Sequence, residues 1–408
     1  MWMASFARPG ILLLGAAVLA SGSPQEPQKP VLRSGVELLI VDAQVIDRDG
    51  QPIATLRPED FEVELGGKKR RVVSAEVVRY GAAAAAASAA RPAPAANVAP
   101  AAPEPKAPVG RRFILAVDEH SFRMASARAA MHAAARFVNR LEKTDLVGLY
   151  TYPTGTAHTD LTNDHAAVLK AIERVTGLLD PPISQYKLSR SDITDISSGD
   201  TEVLNRIAIR ECGPPGIQCR KPILMEATAL AGYLEMQIAQ SLNGLSNLIK
   251  GLGQVEGRKT LVLISGGLFA SDRASGRVNT GSDIRAVGRE AARANTTLYA
   301  LHMDTNFIDS FTERGGPPST LFRDTAALAA GLEQVAGAAG GAVIRVQGGT
   351  GDYAFDRVLR ENSAYYLLGV ELEPADRTGE SQVIRVRVRQ KGATIRSRSI
   401  VIVPRAAS

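Results

Sequence analysis

The sequence predicts an α/β protein: a doubly wound, mostly parallel sheet, flanked by a sandwich-like β unit built from both ends of the chain. Three observations predict it. Residues 112–118 read RFILAVD, a continuous apolar run closing on a carboxylate, and residues 260–267 (TLVLISGG) have the same build. Amphipathic helical stretches alternate with such runs, the pattern of a parallel sheet buried on both faces. Before and after that alternation lie short segments rich in β-branched residues. Ligands of open α/β sheets gather beyond the carboxyl ends of the strands, so Asp118 and Ser265 are expected on a functional rim.

In chain order, Arg8 precedes the apolar stretch Ile11 to Leu19, and the small residues Ala20, Ser21, Gly22 and Ser23 follow. That is the pattern of a secretory signal peptide over residues 1–23, and it implies a secreted or periplasmic protein. Retention of the segment as an anchor is the alternative; no cysteine stands near the small residues to suggest a lipoprotein. No later stretch is long and apolar enough to cross a membrane. Residues 24–30 form a proline-bearing spacer. Residues 36–46 (VELLIVDAQVI) read as a strand, and 60–65 and 71–79 as two more joined at Gly66-Gly67. This N-terminal β segment, 32–80, is too small to bury a core by itself. Residues 81–110 are an Ala/Pro-rich linker whose six prolines, from Pro92 to Pro108, forbid a long helix.

The α/β alternation occupies 111–350. Strand 112–117 leads to a helix over 124–142, where Ala127, Ala130, Met131, Ala134, Phe137, Val138 and Leu141 recur at helical spacing. Residues 146–152 are the next strand, 156–161 an edge beside it, and Asn163 or Asp164 caps a helix carrying Val168, Leu169, Ile172 and Val175. Residues 178–222 interrupt the pattern with prolines, a Ser/Asp cluster and both cysteines. They are expected to be an insertion, largely loop, with at most a short helix near 201–210. Helix 223–252, strand 260–265, helix 282–294, strand 297–301, helix 325–338 and strand 342–346 complete the series. A helix over 353–361 precedes the C-terminal β segment, with strands at 363–372, 382–389 and 394–403. Each β segment has one apolar face to cover, so 32–80 and 353–404 are expected to pack together.

The chain has 408 residues, 45% hydrophobic and 22% charged, enough for about two or three domains. Its net charge of +6 is spread rather than massed, which argues against nucleic-acid binding. Cys212 and Cys219 flank a Gly-Pro-Pro-Gly turn and are expected to form a disulfide, with free thiols as the alternative. Two cysteines with no neighbouring ligands do not make a metal site.

Three stretches carry a resemblance: PEDFEVELGGKKRRV, EGRKTLVLISGGL, and ENSAYYLLGVEL followed by IRVRVRQKGATIRSR. Together they resemble the von Willebrand factor A-related (VWFA-related) proteins described mainly from acidobacteria. The likeness covers nearly all of the chain after the signal, apart from the linker and the insertion. It implies an exported A domain with flanking β segments. A domains generally bind partners at a metal-ion-dependent adhesion site: Asp-x-Ser-x-Ser after the first strand, a threonine on a middle loop, and an aspartate after the fourth strand. Hydroxyls and carboxylates there hold Mg²⁺ and leave one position for a partner's carboxylate. This chain keeps Asp118 but has His120 and Phe122 in place of the two serines, and Ser265 with two glycines where the last aspartate is expected. The threonine is Thr201 or Thr228 if either. The adhesion site is therefore expected to be degenerate, with no cofactor, or with a divalent cation on Asp118 and Ser121 at most.

Other chemistries were weighed. Gly257-Arg258-Lys259-Thr260 looks like the end of a P-loop, yet it precedes a strand, whereas a P-loop follows one. Ser265, His302 and Asp304 could suggest a hydrolase, but the Gly-x-Ser-x-Gly elbow lacks its first glycine. The five histidines show no metal-ligand spacing. Arg385, Arg387 and Arg389, continued by Arg396 and Arg398, form either a cationic face or a charged edge that blocks strand association. The Ser/Asp cluster of residues 189–201 lacks regular Ca²⁺-loop spacing. The expectation is an exported, non-enzymatic module with no catalytic residues. Its rim of Asp118, His120, Ser121 and Ser265 would meet an unknown protein partner in interaction or adhesion. A hydrolase using Ser265 and His302, or a structural subunit of a cell-envelope assembly, are the alternatives.

Overall fold

A computed structural model describes residues 38–80, 110–180, 182–271, 277, 280–305, 319–346 and 351–405. The expected signal peptide and spacer lie outside these residues, as does the linker apart from Gly110. The strands are β1 (Leu38–Ile46), β2 (Phe61–Leu65), β3 (Lys68–Arg70), β4 (Val72–Arg79), β5 (Arg112–Asp118), β6 (Leu146–Tyr152), β7 (His158–Thr162), β8 (Lys259–Ser265), β9 (Thr296–Met303), β10 (Ala342–Val346), β11 (Ala364–Glu371), β12 (Ser381–Val388), β13 (Thr394–Ser397) and β14 (Ile400–Ile402). The helices are α1 (Met124–Asn139), α2 (His165–Ile172), α3 (Arg190–Ser197), α4 (Thr201–Cys212), α5 (Ile217–Leu252), α6 (Gly281–Arg293), α7 (Leu321–Ala338) and α8 (Asp352–Glu361).

Six strands form the central sheet in the order β10-β9-β8-β5-β6-β7, parallel throughout except for the antiparallel edge β7. Phe113, Leu115 and Val117 of β5 face one core with α1, α2 and α8, while Ile114 and Ala116 face a second with α5, α6 and α7. Burial on both faces explains why these strands read as unbroken apolar runs. After β5 the chain extends the sheet through β6 and β7. It then returns to the other side of β5 with β8, so the strand order reverses between β5 and β8. A crevice opens at such a reversal, beyond the carboxyl ends of the two strands.

Strands from both ends of the chain make two antiparallel sheets, β13-β1-β11-β4 and β14-β12-β2-β3. Val41, Ala43 and Val45 of β1, Phe61, Val63 and Leu65 of β2, and Tyr366 and Leu368 of β11 meet in a shared core. Neither end could close that core alone. The arginines of β12 are not a bare cationic face. Arg387 lies 3.0 Å and Arg385 4.0 Å from Glu64, and Arg389 lies 3.1 Å from Glu62. Alternation of acids in FEVEL against bases in IRVRV makes a cross-strand charge ladder.

The insertion differs most from expectation. Its Ser/Asp stretch is helix, not loop. Ser189 accepts from the Asp192 amide while Asp192 accepts from the Ser189 amide, a capping box that opens α3. Asp200 caps α4 by accepting from the Glu202 and Val203 amides, without a reciprocal bond. Two of the acids that could have served Ca²⁺ face cations: Asp195 bonds Arg323 at 2.5 and 2.9 Å, and Asp192 lies 3.5 Å from Arg206. Helix α5 begins at Ile217 and carries Pro222 in its second turn, where the ring forgoes one bond to the Gln218 carbonyl. Ile193, Ile196, Val203, Leu204 and Ile207 pack on Ile223, Ala227 and Leu230 of α5 in a core of their own. Cys212 and Cys219 are disulfide-bonded across the α4–α5 turn, with Cα atoms 6.5 Å apart. Among the described residues no helix is long and apolar enough to cross a membrane.

A fully buried carboxylate lies at the centre of the polar contacts that join the sandwich to the central sheet. Glu361, at the end of α8, accepts from Arg396 of β13 at 2.7 and 3.2 Å and from Arg357 at 2.8 Å. The Tyr299 hydroxyl of β9 lies 3.0 Å from Glu361 Oε2 and 2.8 Å from Gln44 Oε1 of β1. Burial pushes the Glu361 carboxyl up, but Arg396, Arg357 and Tyr299 together hold it below the usual carboxylate value. Removing one partner of a buried pair leaves the other charge stranded, at a cost of about 3–5 kcal/mol. Glu361→Ala is therefore expected to lose that much stability in urea unfolding at neutral pH, and Glu361→Gln less. A change under ~1 kcal/mol for Glu361→Ala would show that the contact fastens nothing.

Candidate functional site

Asp118 closes β5 and Ser265 closes β8, so the two stand on either side of the strand-order reversal. A 3-10 turn, Glu119–Ser121, carries the chain away from β5. The Ser121 hydroxyl donates to the Asp118 carbonyl at 2.7 Å and accepts from the Gly266 amide at 2.9 Å, tying the two strand exits together. Gly266 has to be glycine for that approach, since a Cβ there would stand 2.3 Å from the Ser121 carbonyl oxygen. Ser265 Oγ accepts from the Gly267 amide at 3.1 Å. From α5, the Ser241 hydroxyl donates to Asp118 Oδ2 at 2.8 Å.

Asp118, Ser121, Ser241, Gly266 and Gly267 line a small pocket of about 70 Å³, with Ser265 beneath it, His120, Arg190 and Gln237 adding polar groups, and Leu234, Ile238, Leu268 and Phe269 as apolar wall. Asp118 is only 3% exposed and Ser265 fully buried, whereas His120 and Ser121 are half-buried. Of the rim residues expected from sequence, the structure brings all four together but sinks Asp118 and Ser265 beneath the surface. His120 and Ser121 are the two of the four that reach the surface.

Ser241 was missed by sequence reasoning. It sits on the apolar stripe of α5 between Ile238 and Leu242, and a lone hydroxyl on a buried face was the available signal. Thr201 opens α4, and Thr228 is exposed on α5 with its hydroxyl on the Leu224 carbonyl; neither lines the pocket.

The donor set does not fit a resident divalent cation. The pocket offers one carboxylate, Asp118, and Arg190 brings a fixed positive charge to the same space. Ser121 spends its hydroxyl on two backbone groups, and Phe122 is buried in the core. Glu119 turns away from the pocket to accept from Thr154 at 2.5 Å and from Thr156. A hard cation wants several oxygens with net negative charge, which this arrangement lacks. Among the described residues no cluster of three or more His, Cys, Asp or Glu could hold a metal.

Nor is a hydrolytic pair assembled. His302 is the β9 register partner of Ser265, yet its Nε2 lies 3.2 Å from the Gly266 carbonyl. No hydrogen bond joins the ring to Ser265 among the described residues. Burial pulls the imidazole below its usual value despite Asp304 nearby, so the neutral form prevails at neutral pH.

Burial pushes the Asp118 carboxyl up to about 7, against the hydrogen bond from Ser241 and the backbone at His120. Its Oδ1 has no hydrogen-bond partner among the described residues. Because the folded-state value lies above the unfolded one, the folded chain holds this proton more tightly. Stability linked to Asp118 is thus full below the unfolded value and declines as pH rises toward 7. Asp118→Asn keeps an acceptor for Ser241 and removes the titration. Urea unfolding should find it roughly level with the parent near about pH 4 and more stable by about 2–4 kcal/mol near about pH 8. A difference independent of pH would refute the assignment.

No protein-family model matches the chain, and no curated protein matches it.

Proposed function

We propose that this chain is an extracytoplasmic, non-enzymatic binding module of von Willebrand A type, recognising a protein partner at the carboxyl edge of its six-stranded sheet without a metal ion. The observation that carries this reading is the lock of Ser121, Ser241 and Ser265 around Asp118 at the strand-order reversal. It stiffens the one edge where open α/β sheets gather ligands, and it does so with hydroxyls where an adhesion site would use Mg²⁺. The signal-like N-terminus and the Cys212–Cys219 bond support an oxidising compartment outside the cytoplasm. Ser265 and His302 offer no support for a hydrolase, since each is engaged with the backbone around Gly266 and Gly267.

Photo-cross-linking tests the reading. A cross-linking side chain placed at His120 samples the rim, and one at Lys143, exposed at the opposite edge before β6, is the control. In cell-envelope extracts the His120 position should give a discrete adduct that persists in excess chelator and is missing from the Lys143 position. Matching adducts at both positions would end the case for this edge, and loss on chelation would restore a metal-dependent site. Isothermal titration with Mg²⁺, Mn²⁺ and Ca²⁺ should likewise show no saturable heat.

A further inference from the structure

The insertion carries a two-helix hairpin in which α4 turns into α5 through residues 213–216. Its inner side is already satisfied, since Ile207 and Ala208 pack on Ile223 and Ala227 in the insertion's own core. The outer side of the tip is apolar as well. Ile217 is 67% exposed, Met225 64%, Ile209 45% and Leu224 41%. Ile217, Leu224 and Met225 stand at spacing i, i+7 and i+8, so they share one face of α5 with Lys221 at i+4. Gly216 lies against the last turn of α4, where a Cβ would stand 2.9 Å from the Ile209 amide nitrogen. Ile209 and Ile217 therefore share one end of the hairpin, with exposed Pro214 and Pro215 in the turn between the helices. The Cys212–Cys219 bond pins that turn. Large aliphatic side chains gathered in water with polar residues around them mark a contact surface.

The charge around the tip is mostly of one sign. Residues 207–225 hold three cations, Arg210, Arg220 and Lys221, against one acid, Glu211. Arg210 pairs with Glu211 at 2.6 Å, whereas Arg220 and Lys221 form no ion pair among the described residues. Arg210 also donates to the Tyr186 carbonyl at 2.8 Å, which brings the exposed Lys187 alongside. The acids next along the helices are engaged or distant. Glu226 accepts from the Ser184 hydroxyl, Glu235 pairs with Arg277, and Glu202 lies at the far end of α4. From this juxtaposition we infer that the hairpin tip docks on an anionic phospholipid surface. Ile209, Ile217, Leu224 and Met225 enter the boundary between headgroups and acyl chains, while Arg220 and Lys221 meet the lipid phosphates. At two-thirds exposure Ile217 and Met225 have no protein wall opposite them, and such a projecting tip enters a soft surface more readily than it receives a side chain. Each cation brought to an anionic leaflet strengthens binding by about fivefold. The inference goes beyond the proposed function and does not rest on the Asp118 rim, which can bind its partner or fail to whatever the tip does.

Vesicle flotation of the full chain tests this, comparing phosphatidylcholine vesicles with ones containing phosphatidylglycerol. Ile217→Ser/Met225→Ser removes the apolar contact and Arg220→Gln/Lys221→Gln the charge. Val383→Ser, at an exposed position of β12 in the sandwich, is the control. All five side chains are at least partly exposed, and thermal unfolding checks that each variant keeps its fold. The parent should float with the anionic vesicles, less so as salt rises. Each tip variant should bind at least about tenfold more weakly, and Val383→Ser like the parent. A second measurement needs no loss of binding. Tryptophan placed at Ile217 should be quenched by brominated lipids, and tryptophan at Val383 should not, the chain's one tryptophan, Trp2, giving both the same background. Equal binding to neutral and anionic vesicles, tip variants that float like the parent, or quenching alike at both positions would overturn the inference. So would an absence of flotation, including the case in which Ile217→Ser/Met225→Ser abolishes a dimer seen by ultracentrifugation, which would give the tip to a second copy of the chain.

Discussion

A fully buried carboxylate sits where the sandwich meets the central layer. Glu361 terminates the last helix of the central layer and receives Arg396 from the sandwich, Arg357 from its own helix and the neighbourhood of Tyr299 from β9. A carboxylate removed from water is costly unless nearly every lone pair is used, and here they are. The same cluster continues through Gln44 to Asn362 at 2.7 Å and on to Thr260 at the start of β8 at 3.0 Å. Polar groups that accept only one arrangement of three elements fix the orientation of the sandwich, which apolar contact alone would leave loose.

At the opposite edge of the sheet the same logic works with hydroxyls. Ser121, Ser241 and Ser265 bind backbone and carboxyl groups that would otherwise be stranded at the ends of β5 and β8. The chain's own groups hold this edge, so it is set once folding is complete. Helix α5 links this edge to the insertion. Its first half packs in the insertion's core and its second half against the sheet. The insertion's core and the Asp118 pocket therefore share one helix.

Much of this could be read in the residues. RFILAVD and TLVLISG are so uniformly apolar that only a doubly buried strand suits them, and the amphipathic spacing of residues 124–138 left one reading for α1. The insertion was less legible. Prolines and a Ser/Asp cluster signal loop by composition, and only the Ser189–Asp192 spacing, a capping box, disclosed a helix start. Ser241 and Glu361 could not be picked out, because a polar residue on a helix face has no partner until the fold supplies one. Ser265 and Asp118 were placed together by the strand ends, but their burial depends on side-chain packing that periodicity does not encode.

The sandwich has a consequence for how the chain matures. Gln44 and Asn362 bond across a separation of 318 residues, and β1 lies between β11 and β13. The first strand thus has no lateral neighbours until the final quarter of the polypeptide has emerged. Loop closure over such a span is slow, and meanwhile an apolar strand stands open to strange partners. Assembly of this β unit therefore waits for β11 and β13.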